Sequence, residues 1–145
     1  MFSNILVALD GSKISQRALT EAVDLARLMN ATLQAVHVME AITSAQSSLD
    51  QMDNSLEMYQ LLEKEGNDIL EGARKYCADQ GITLIPHLKQ GNPGTEIISL
   101  SEQEKCDIIV VASHGKSGFD RLFLGSVSSF VVKNNKGTTM VVRGQ

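Results

Sequence analysis

Two stretches of this chain leave little choice of fold. Asn4-Ile5-Leu6-Val7-Ala8-Leu9 and Asp107-Ile108-Ile109-Val110-Val111 are nearly unbroken apolar runs, and each stops at small, polar residues. A strand with one wet face alternates apolar and polar positions. A strand that is apolar at every position is covered on both sides, as in a parallel sheet with helices above and below it. From Ile14 the period changes: Ala18, Ala22, Leu25, Ala26 and Met29 recur at helical spacing, with Ser12 placed to cap the helix and Asn30 to stop it. Thr32 to Val38 then reads as a second strand, and the polar stretch Glu40 to Ser55 as a long connection. A long helix from Leu56 to Gln80 ends at Gly81, with Leu56, Tyr59, Leu62, Ile69 and Tyr76 expected on its buried side. A third strand starts at Ile82 and is interrupted by Pro86, with resumption through Leu88 left open. Pro93 opens a short helix to Glu104, Asp107 to Ala112 is the fourth strand, Ser126 to Asn134 the last helix, and Thr138 to Arg143 the fifth strand. The order βαβαβαβαβ predicts an open, doubly wound α/β sheet with helices on both faces.

In such a sheet ligands sit beyond the carboxyl ends of the strands, where chain order reverses. Asp10 to Ser12 follows the first strand and Ala112 to Gly118 the fourth, so if those strands are neighbours the two loops share one crevice. The second loop, Ser113-His114-Gly115-Lys116-Ser117-Gly118, leads after nine intervening residues from Gly115 to Gly125-Ser126 at the start of a helix. Small residues let backbone N–H groups approach an anion, and the unpaired N–H groups of the helix start face it. Gly115-Lys116-Ser117 is not a Walker A loop, because the position that would need glycine holds Val110, inside a strand. Asp10 has two readings that can coexist: binding a ribose hydroxyl or adenine edge, or capping the first helix together with Ser12. His114 would meet phosphate through its backbone N–H rather than its ring, and His37 reads as a core or edge histidine rather than a ligand.

The rest of the sequence mainly excludes. A net charge of −4 and only six aromatics argue against a nucleic-acid partner. The three histidines stand in no metal-ligand spacing with Cys, Asp or Glu, and no nucleophile elbow or carboxylate pair is readable. Cys77 and Cys106 read as reduced thiols packed as small hydrophobes. With no apolar run of transmembrane length and no basic leader, the expectation is one soluble, cytoplasmic domain over residues 1–145 without membrane contact.

Taken together, Asn4 to Ser12, His37-Val38, Asp107 to Gly115, Gly125-Ser126 and Val141-Val142-Arg143 resemble the universal stress protein family from one end of the chain to the other. The family loop Gly-x2-Gly-x9-Gly-Ser/Thr is read here as Ala112-x2-Gly115-x9-Gly125-Ser126. The resemblance implies a five-stranded parallel sheet of order 3-2-1-4-5, of the adenine nucleotide alpha hydrolase-like type. It also implies a homodimer paired along Thr138 to Arg143, and binding of ATP, or of ADP or AMP, with Mg²⁺ or Mn²⁺ arriving on the nucleotide. Carried over by position, Ala8, Asp10 and Val38 would surround adenine and ribose, and Val111 and Ala112 would line the ribose side. Gly115, Gly125, Ser126, Val127 and Ser128 would hold the phosphates. The resemblance makes the protein a regulatory or stress-resistance module with an unidentified protein partner and at most slow ATPase activity; the alternative is a nucleotide-free dimer serving as an interaction scaffold. Nucleotide is expected to order the Gly115–Gly125 and Glu40–Ser55 segments. Ala112 departs from the pattern: its methyl group stands where glycine lets the backbone approach ribose, so weakened binding is expected.

Overall fold

A computed structural model describes residues 1–40, 52–115 and 123–144. Most of the two segments expected to close over the pocket lies outside these residues. The chain runs β1 (Asn4–Ala8), α1 (Lys13–Met29), β2 (Thr32–Met39), α2 (Met52–Asp79), β3 (Leu84–Gln90), α3 (Pro93–Gln103), β4 (Ile108–Ala112), α4 (Ser126–Asn134) and β5 (Thr138–Val142). The strands form one parallel sheet of order β3-β2-β1-β4-β5, as expected. β1 is therefore central, and the two nearly unbroken apolar runs are neighbours, Ile5 pairing with Ile108 and Val7 with Val110.

Because side chains alternate along a strand, β1 feeds two cores. Ile5, Val7 and Leu9 pack with α1 and α2, through Leu19, Val23, Leu70 and Cys77 among others. Leu6, with Val36, Ile109 and Val111, packs under α3 and α4 through Ile97, Leu100 and Val131. Each fully buried Val, Leu or Ile here contributes about 1.5–3 kcal/mol by leaving water.

Two expectations change. The buried ridge of α2 is Gly66, Leu70, Ala73 and Cys77, at helical spacing. Ile69 and Tyr76 flank it, Tyr59 and Leu62 are half-buried, and Leu56 is 63% exposed. Among the described side chains of α2 the buried positions begin at Gly66, so Leu56, Met58 and Leu61 lie short of the core and stay exposed. β3 runs unbroken through Pro86. Gly91 N–H donates to the Met39 carbonyl, so odd-numbered residues of β3 donate to β2 and the missing N–H of Pro86 falls on the open edge, where proline is tolerated.

The amino end of the sheet is closed by polar contacts. Asp107 accepts from the Ser3 amide (2.8 Å), the Ser3 hydroxyl (3.0 Å) and the Asn4 amide (3.2 Å). Buried Gln34 donates to Asn4 Oδ1 (2.9 Å), and its Oε1 accepts from His87 Nε2 (2.7 Å), which fixes the proton of the neutral ring on Nε2. Among the described residues no buried side-chain polar atom lacks a partner. Both cysteines are free, and burial pushes each thiol up to about 11.

Candidate functional site

The carboxyl end of the sheet is open, and three local structures shape it. The first is the turn after β1. Gly11 adopts φ 84°, a left-handed conformation that glycine enters without strain. Asp10 Oδ1 accepts from the Ser12 amide (2.9 Å) and the Ser12 hydroxyl (2.5 Å). The Ser12 hydroxyl in turn caps α1 by accepting from the Ser15 amide at 3.2 Å. The capping reading is thus realised by Ser12, with Asp10 bracing the cap. The second carboxylate oxygen of Asp10 faces the other loop: a Cβ on Gly115 would stand 2.9 Å from Oδ2.

The second structure is the turn at the end of β4. Ser113, almost wholly buried, donates its amide to the Val142 carbonyl, which ties the loop to β5. Its carbonyl receives both the Gly125 amide (2.6 Å) and the buried Ser128 hydroxyl (2.8 Å). Gly125 has no room for a side chain, since a Cβ there would lie 3.0 Å from His114 Cα and 3.3 Å from the Ser113 carbonyl. His114 is half-buried, with Nδ1 3.1 Å from the Ser113 hydroxyl.

The third is the start of α4. Gly125 is its N-cap and supplies no side-chain acceptor. The first helical bond runs from the Ser129 amide to the Gly125 carbonyl, so the first-turn N–H groups of Ser126, Val127 and Ser128 have no intrahelical partner. Their partial positive charge attracts an anion, and the close-packed glycine gives that anion backbone access. The residues therefore fit a phosphate group.

The candidate residues fall into two sets. Ala8, Val38 and Val127 are partly buried along the rim of the α3/α4 core and form an apolar wall at one end of the crevice, with Val111 buried in the core behind them. Asp10, Gly115, Gly125 and Ser126 lie beside it at the loops. Two candidates stand apart. The methyl of Ala112 packs with the opposite core, and Ala112 continues β4 without a left-handed φ, so it neither strains the backbone nor joins the apolar wall. The Ser128 hydroxyl is committed to Ser113, with Gly125 O at 3.1 Å.

Sequence reasoning missed one wall. A cavity of about 490 Å³ opens between Glu40, Gly91, Asn92, Pro93 and Gly94 on one side and Ser126, Val127 and Phe130 on the other. Gly94 is tight because Phe130 rests on it; a Cβ there would be 2.5 Å from the ring. Gly91-Asn92-Pro93-Gly94 is legible as a turn, and its position after a strand was the available signal. Among the described residues, no group of three or more His, Cys, Asp or Glu is arranged to hold a metal ion.

An open, parallel, doubly wound sheet whose loops after the central strands frame a crevice at the change of chain direction defines an α/β protein of the switch-point class. More narrowly, the model of the universal stress protein family matches residues 1–143, and this chain belongs to that family. Universal stress protein YxiE of Bacillus subtilis is 35% identical over 154 aligned residues, covering 99% of this chain and 100% of the relative. The solved structure of MJ0577, a universal stress protein of Methanocaldococcus jannaschii, matches with a TM-score of 0.83 at 28% identity, covering 100% of this chain and 98% of that one. A universal stress protein solved in complex with cAMP matches with a TM-score of 0.71 at 25% identity, covering 97% of each chain.

Proposed function

We propose that this chain is a single-domain, cytoplasmic, adenine-nucleotide-binding universal stress protein that acts as a dimeric regulatory module, with hydrolysis at most slow. The observation that carries this reading is the uncapped amino end of α4, set across a crevice from Asp10 and beside an apolar wall. Charge orients the ligand: phosphates go to the α4 amides of Ser126, Val127 and Ser128 and to Gly115 and Gly125, while the ribose and base go toward Asp10, Ala8, Val38 and Val111. Reversing it would set phosphate against the Asp10 carboxylate. Mg²⁺ or Mn²⁺ enters on the nucleotide's own phosphates. The relative that holds cAMP, itself an adenine nucleotide, supports this ligand class.

The dimer forms along β5, which pairs with β4 alone and ends the sheet. An unpaired edge rich in Thr, Met and Val is a surface that proteins cover. Calorimetric titration of nucleotide-freed protein with ATP and Mg²⁺ tests the reading. Micromolar binding near one site per chain is the expected result. The absence of binding to verified apo protein overturns it in favour of the nucleotide-free scaffold.

A further inference from the structure

The register of β1 against β2 carries more than the pairing of two strands. Thr32 N–H donates to the Ser3 carbonyl and Leu9 N–H to the Val36 carbonyl, so even-numbered residues of β2 face β1. The next rung of this parallel ladder would run from the Val38 amide to the Leu9 carbonyl. That rung does not form: the register ends at Ala8↔Val36, and no backbone hydrogen bond joins Val38 to Leu9. The Leu9 carbonyl is instead met by the His37 ring, whose Nδ1 lies 2.8 Å away. A carbonyl only accepts, so Nδ1 carries the proton. The ring is held there from behind. Gly66 of α2 sits over it, and a Cβ at that position would be 2.8 Å from His37 Cδ2 and 2.6 Å from Leu88 Cδ1.

We propose that His37 is a positioning residue of the crevice: by taking the Leu9 carbonyl it ends the β1–β2 ladder one rung early, fixes the chain entering the Asp10 turn and leaves the Val38 amide, without a ladder partner among the described residues, facing the crevice as a donor. The role in ligand binding rests on the nucleotide reading above; the effect on the ladder does not. A polar atom on the base edge is the acceptor that such a donor takes. The family resemblance places Val38 at the base by position; the residue before it, reaching sideways, sets what Val38 can offer.

The test uses the full chain and two variants. His37→Leu removes the donor while keeping an apolar filling under Gly66. His37→Asn keeps an N–H near the place of Nδ1. Amide hydrogen exchange in the ligand-free protein is read residue by residue, then ATP affinity by calorimetry. In His37→Leu the Leu9 carbonyl becomes available, the missing rung closes, and Val38 amide exchange slows by about tenfold, even if the rest of the sheet exchanges faster. ATP binding weakens about five- to tenfold, the worth of one net hydrogen bond, and His37→Asn restores both readouts. A Val38 amide that exchanges faster or unchanged in His37→Leu, or ATP affinity equal to that of the unaltered chain, overturns the assignment. If the unaltered chain takes no nucleotide, the functional reading falls, and the Val38 exchange still decides the role of His37 in the ladder.

Discussion

At the scale of single residues, two positions of the family's glycine pattern differ in what they permit. Ala112 occupies a position at which the family pattern has glycine, yet its methyl sits in the α1-side core and its backbone is ordinary strand. Ala112→Gly is therefore expected to leave ATP affinity within about twofold while lowering stability by about 0.5–1 kcal/mol, through backbone entropy and lost packing. Gly125 is the opposite case, because the nearest atom to an added methyl is backbone at 3.0 Å and cannot swing away. Gly125→Ala should displace the start of α4 from Ser113 and abolish calorimetrically detectable ATP binding, with the fold retained by circular dichroism. If the two variants lose affinity equally, the separation of the loop into a packed side and a binding side is wrong.

At the scale of elements, α1 depends on its cap as the crevice depends on its turn, and Ser12 serves both. Ser12→Ala removes the acceptor for the Ser15 amide and the hydroxyl that holds Asp10. Urea unfolding should show a loss of about 1 kcal/mol, and Asp10 should hold ribose less firmly, so ATP affinity should fall as well. Much at this scale was legible in the residues. β1, β4 and α1 follow from unbroken apolar runs and a clean helical period, and the crevice from glycines placed after strands. What was hidden depends on neighbours distant in sequence. The exposed apolar start of α2 looks like core until one knows how far the sheet extends beneath it. Pro86 looks like a strand breaker until β3 is known to be an edge. The contribution of Gly91 to Gly94 and Phe130 depends on β3 lying on one side of β1 and α4 crossing from the other. His37 reads as an unremarkable strand histidine, and only the register shows that its ring replaces a rung.

At the scale of the whole molecule, the two ends of the sheet differ: the carboxyl end carries the proposed nucleotide crevice, the amino end the groups that respond to protons. Burial holds His87 below the ordinary imidazole value of 6.5, with Glu104 opposing and Lys89 adding to the shift. A lowered imidazole means that the unfolded chain binds its proton first, so stability is intact above pH 6.5 and is lost as pH falls toward the folded value. Asp107 adds a second step. Burial alone would raise its carboxyl, but the bonds from Ser3 and Asn4 outweigh it and hold the group below 3.8, so its contribution is present above that pH and is lost as pH falls through the folded value. Urea midpoints should be flat from neutral pH upward to the onset of thiol ionisation, and should decline below pH 6.5. His87→Gln should remove the first decline and leave the second.

The same scale sets the test of assembly. Val142 turns its carbonyl to Ser113, so the alternation of β5 points the Val141 N–H at the open edge. Val141→Pro removes that donor and should shift sedimentation of the proposed dimer to monomer; a variant that remains dimeric places the contact elsewhere. The central position of β1 also has a consequence for the order in which the chain is made. Its partner β2 follows within one helix, but β4 and the Asp107 bond to Ser3 arrive 104 residues later. A ribosome that has released everything through α3 has delivered Asp10, His37 and Val38, yet one side of β1 is still bare and no phosphate site exists. The crevice draws on elements far apart in the order of synthesis, so the proposed ligand has no place to bind until β4 and the start of α4 have been made.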